Sequence, residues 1–63
     1  MAFSLVPLQT MLSTIDDLVK RTEESATAAG QAGEGGLAAD LYEVERSLRR
    51  AHRRLGRAVR ERS

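Results

Sequence analysis

Two stretches of identical rhythm, separated by a cluster of glycines, constrain this chain more than anything else in it. Leu8, Leu12, Ile15, Val19, Thr22, Ala26 and Ala29 recur at spacings of 4, 3, 4, 3, 4, 3. Leu37, Leu41, Val44, Leu48, Ala51, Leu55 and Ala58 recur at the same spacings. That is the a/d pattern of a heptad, held for about three heptads on each side. It draws one apolar stripe along each of two α-helices. Nothing alternates with period two over a useful length, so no strands are expected. Between the stretches lie Gly30, Gly33, Gly35 and Gly36. Each glycine costs about 1 kcal/mol relative to alanine in a helix, so the cluster predicts a flexible loop over about 30–36. Pro7 suits the first turn of a helix, and Ser4 a cap before it. The expected fold is all-α, a single unit over 1–63. Helix 1 runs over about 5–29 and helix 2 over about 37–61. The two fold back as an antiparallel, coiled-coil-like two-helix hairpin.

Packing a against d′ brings Leu8 near Leu55, Leu12 near Ala51, Ile15 near Leu48, Val19 near Val44 and Thr22 near Leu41. A register slipped by one turn is the alternative, because a loop of glycines does not fix it. A hairpin of 63 residues has one seam and needs a further staple. There is no cysteine, so disulfides are excluded, as are a Cys-based zinc site and a thiol nucleophile. Self-association remains. Met11 and Leu18 sit beside the first seam and widen it, as Val59 does on the second helix. Burying a large apolar side chain fully is worth roughly 1.5–3 kcal/mol. A homodimer forming a four-helix bundle is therefore expected, its core built from Leu8, Met11, Leu12, Ile15, Leu18, Val19, Leu41, Val44, Leu48, Leu55 and Val59. Docking on a different protein is the other way to cover the same groups.

The formal charge of +1 hides a separation. Residues 1–45 hold two basic and eight acidic side chains, a net −6; residues 46–63 hold eight arginines and one glutamate, a net +7. On the predicted heptad, Arg46, Arg49, Arg50, Arg53, Arg57 and Arg60 take solvent-facing positions in a band about 20 Å long. Part of this is ordinary helix chemistry. Cations near a helix end complement the macrodipole. Glu43 and Glu45 are spaced to pair with Arg46 and Arg49. The rest of the band is a candidate anion-binding surface for an acidic protein, for nucleic acid or for a nucleotide. The basic stretch contains no Asn, Gln or aromatic residue, so any nucleic-acid contact is expected to be with backbone and shape, and this reading is not favoured. Nine arginines against one lysine, with nine alanines, is also the balance of GC-rich codons, so a high-GC source is expected.

Catalytic chemistry is not expected. His52 is the only histidine and has no partner at metal-ligand spacing; it is placed at the boundary of the seam, within reach of Asp16. The adjacent acid pairs Asp16-Asp17 and Glu23-Glu24 diverge on a helix. The glycines lack the Gly-Lys-Ser/Thr that follows a strand in a phosphate loop. No acid falls at a predicted a/d position, so no carboxylate metal site is expected in a bundle core. No cofactor is called for. No run approaches the roughly 20 apolar residues of a membrane span. The N-terminus lacks the features of an export signal, so a cytoplasmic location is the expectation.

Glu43, Ser47 and Arg50 fall at the first three places of a helix signature of Glu, then Ser four on, Arg three on, Gln four on and Asp four on. In these residues the segment resembles the actinobacterial anti-sigma factor that senses cyclic di-GMP, itself a helical coiled-coil hairpin. Arg54 and Ala58 stand where that signature has Gln and Asp. The absent Asp removes an acceptor for guanine, so the ligand is not carried over. The resemblance spans under a quarter of the chain and implies a small hairpin regulator. The leading expectation is a non-enzymatic interaction module that self-associates and offers its arginine face to an acidic protein. Backbone-reading nucleic-acid binding and nucleotide sensing are the alternatives.

Overall fold

The computed structural model describes residues 3–63. Two helices account for nearly all of them: α1 over Val6–Gln31 and α2 over Gly35–Arg62. They pack against each other along their length, giving a rod 53 × 14 × 13 Å. The all-helical hairpin expected from the heptads is the observed fold.

Pro7 lies in the first turn of α1, where its missing N–H has no helical partner to lose. The N-cap position is Leu5, not Ser4, and no side chain caps it. Ser4 still contributes, because its Oγ accepts a hydrogen bond from the Val6 N–H at 3.3 Å.

The connection is shorter than the glycine cluster implies. Gly30 belongs to α1, and Gly35 and Gly36 to α2. Only Ala32, Gly33 and Glu34 join the helices. Among the described residues Gly33 alone has a left-handed backbone, with φ of 80°. It closes α1 as a Schellman motif. The Glu34 N–H donates to the Ala29 carbonyl at 2.8 Å, and the Gly33 N–H to the Gly30 carbonyl at 3.1 Å. Both satisfy carbonyls that the helix end leaves without partners.

This tight turn sets the register. A Cβ built on Gly30 would lie 4.0 Å from Ala38 Cβ, and one on Gly56 would lie 4.0 Å from Leu12 Cδ2. Leu12 therefore faces Gly56 and not Ala51. The slip relative to the first expected pairing is just over one helical turn. Each helix extends two residues into the glycine cluster, which leaves the midpoint of the connection at Gly33; the slip goes instead with the change in the face that α2 turns toward α1.

The seam on α1 is the expected one. Leu8, Leu12, Ile15 and Thr22 are half-buried, and Val19, Ala26 and Ala29 are buried. On α2 the seam is rotated by one residue. Ala38, Leu41, Glu45, Leu48, His52, Leu55 and Val59 face α1, at spacings of 3, 4, 3, 4, 3, 4. The leucines 41, 48 and 55 are common to both patterns. Leu37, Val44 and Ala51 are exposed, contrary to their predicted seam positions, and Ala58 is half-buried. Small side chains at Ala26, Ala29, Gly30 and Ala38 let the helices close tightly near the turn.

Among the described residues no large side chain is fully buried. The accessible surface is 4894 Å² for 6.9 kDa. A compact monomer of that mass exposes about 4000 Å². The hairpin thus leaves uncovered an area comparable to one side of a protein interface.

Candidate interaction site

In heptad terms, the α1 seam has Leu12 and Val19 at a and Ile15 and Thr22 at d. The α2 seam has Glu45 and His52 at a and Leu48 and Leu55 at d. The e positions flank one side of an antiparallel seam and the g positions the other. Arg49 Nη2 donates to Glu23 Oε2 at 3.2 Å, and both residues are at e. That contact fixes which flank is which.

The e flank is polar. Glu45 is buried in the seam at 8% exposure, a place where the sequence predicted no acid. Arg49 makes its burial tolerable: Nε and Nη2 reach Glu45 Oε2 at 3.1 and 2.7 Å. The hydrogen bonds from Arg49 hold the Glu45 carboxyl below the usual glutamate range, against the opposing effect of desolvation. The same contacts raise the Arg49 guanidinium above its ordinary value. Beside this cluster, Asp16, Val19, Arg49, His52 and Arg53 line a shallow groove. Asp16 is drawn to Lys20 at 3.5 Å, and Asp17 to Arg21 at 3.9 Å. His52 is half-buried and lines this groove together with Asp16.

The remaining predicted arginines spread outward from this flank. Arg46, Arg53 and Arg60 take b positions, and Arg50 and Arg57 take f. All are exposed. Arg46 pairs with Glu43 at 2.6 Å, as its spacing predicted. Arg62 Nη1 donates to the Ala58 carbonyl at 2.9 Å, closing the helix end. Among the described residues, Arg50, Arg53, Arg54, Arg57 and Arg60 have no carboxylate within ion-pair distance. The predicted band of six thus divides: Arg49 and Arg46 are internally paired, and Arg50, Arg53, Arg57 and Arg60 are available.

The g flank is apolar. It carries Met11, Leu18 and Ser25 on α1 beside Leu37, Val44, Ala51 and Ala58 on α2. Met11 is 48% exposed, Leu18 36%, Leu37 52% and Val44 46%. Heptad spacing does not show this flank as a continuous strip, because it directs Leu37 and Val44 inward. Its signal was present in the width of the apolar pattern. A coiled-coil seam needs only a and d, whereas a helix facing two neighbours adds e or g.

Among the described residues no three His, Asp or Glu side chains converge as a metal-binding set, and no helix is long and apolar enough to cross a membrane. Comparisons with family models, with curated proteins and with solved structures gave no match.

Proposed function

We propose that this chain is a non-enzymatic interaction module with two working surfaces. A second copy covers the apolar g flank, making a four-helix bundle. The outward arginines of α2 then remain free for an acidic protein partner. The observation that carries this reading is the division of the hairpin: half-exposed Met11, Leu18, Leu37 and Val44 on one side, unpaired guanidiniums on another. Completing the burial of each half-exposed side chain favours association by about 1 kcal/mol. The arginine row runs from Arg46 to Arg60, about 21 Å of helix. It is a planar-donor surface suited to carboxylates, and its excess positive charge speeds encounter with an acidic partner.

The test compares two probes, a poly-glutamate peptide and a random-sequence DNA duplex, against the native chain and a charge-reversed variant. Arg50→Glu, Arg57→Glu and Arg60→Glu together lie outside the seam, the Arg49 cluster and the groove beside it. The expected result is retention of the peptide in preference to DNA, abolished in the variant. DNA bound more tightly than the peptide, with affinity falling log-linearly with salt, would replace this reading with backbone-directed nucleic-acid binding. A rise in melting temperature with cyclic di-GMP would replace it with nucleotide sensing.

A further inference from the structure

We infer that the second copy docks antiparallel, its α2 lying against α2 across the apolar flank and centred between Ser47 and Leu48. This rests on the self-association proposed above and specifies its geometry.

Charge supplies the first reason. The half of the hairpin nearest the turn, residues 20–48, holds six carboxylates and three cations, a net −3. The open half, residues 1–19 and 49–63, holds seven arginines and three carboxylates, a net +4. Stacking two copies in the same direction sets like ends together. Reversing one sets each acidic end on a basic one, which lowers the energy of the pair and discriminates against the parallel form.

Side-chain size supplies the second. Reversal about the point between Ser47 and Leu48 lays Leu37 opposite Ala58 of the other copy and Val44 opposite Ala51. Each large g residue then meets a small one, the arrangement that lets two faces interdigitate without voids. Asp40 and Arg54 border this strip. Each lies four residues before a g position, Val44 and Ala58, so each neighbours the strip on the helix surface. Both are exposed and neither has an ion-pair partner among the described residues. They sit seven residues either side of Ser47. The same reversal brings Asp40 within one residue, about 1.5 Å along the axis, of Arg54 of the other copy, twice by symmetry.

The 28 residues of α2 span about 42 Å, and a face of that length and 14 Å wide offers about 600 Å² per copy, at the ~1,200 Å² total where specific interfaces begin.

Asp40 and Arg54 are about 21 Å apart within one chain, too far to pair there. Energetic coupling between them reports the other copy. Sedimentation equilibrium is run on the native chain, on Asp40→Arg and on Asp40→Arg with Arg54→Asp. Loss of two exposed pairs in Asp40→Arg weakens dimerisation about three- to tenfold, and the double variant restores it. Ser47→Cys, the only thiol in the chain, forms a disulfide-linked dimer on oxidation. If the native chain dimerises but the double variant stays as weak as Asp40→Arg, or Ser47→Cys fails to cross-link, the antiparallel arrangement is overturned while self-association stands. A native chain that sediments as a monomer overturns both.

Discussion

Gly33 and Gly56 respond to the same substitution with opposite sign. Gly33 holds φ of 80°, with nothing near enough to obstruct a Cβ. The cost of alanine there is entirely backbone. The left-handed conformation costs an L-residue roughly 1–2 kcal/mol. Restricting the unfolded chain returns about 0.4–1 kcal/mol. Gly33→Ala therefore destabilises by about 1 kcal/mol. Gly56 lies deep in α2, and a Cβ there meets Leu12 Cδ2 at 4.0 Å and Arg60 Nη1 at 3.4 Å. The first is ordinary contact, and the second is the tip of a flexible side chain that can move. Gly56→Ala therefore gains about 1 kcal/mol from helix propensity. In a domain of this size 1 kcal/mol moves the melting temperature by about 4–8 °C. The two variants should melt on either side of the native chain, separated by about 10 °C. Far-UV circular dichroism melts at one fixed chain concentration measure this, the concentration being held because association shifts the midpoint. A Gly33→Ala chain melting at or above the native temperature would refute the Schellman closure. A Gly56→Ala chain melting below it would refute the packing assigned to Leu12.

Other expectations follow from the two flanks. Leu18→Glu combined with Val44→Glu puts charge on the apolar strip without touching the seam, so light scattering should record dissociation to monomers. The Glu45 carboxyl titrates below its ordinary range, so it stabilises the fold fully above the unfolded glutamate value of about 4.3. That contribution is lost as pH falls through the lower folded value. Glu45→Gln should flatten the acid limb of a stability profile below about pH 4.3, and an unchanged limb would show that the Arg49 contact contributes nothing. Removing both glutamates that Arg49 touches, Glu23 and Glu45, should free that guanidinium and increase retention on poly-glutamate.

Heptad spacing alone is enough to read the two helices, their antiparallel return and the whole α1 seam. It is local and repeats often enough to be unambiguous. The sequence also locates the acidic and basic segments and the Arg46–Glu43 and Arg49–Glu45 pairs, since i,i+3 and i,i+4 neighbours are set by the helix alone. The tertiary structure decided how α2 rolls about its axis. Leucines 41, 48 and 55 serve two seams equally, one completed by Leu37, Val44 and Ala51, the other by Ala38, Glu45 and His52. Hydrophobicity favours the first. Close packing at Ala29, Gly30 and Ala38, together with the Glu23–Arg49–Glu45 contacts, goes with the second. Those contacts join residues 26 positions apart, which no periodicity within one helix encodes. The roll buries a glutamate in the seam and turns leucine and valine outward. It is this one rotation that leaves the hairpin with an apolar flank still to be covered.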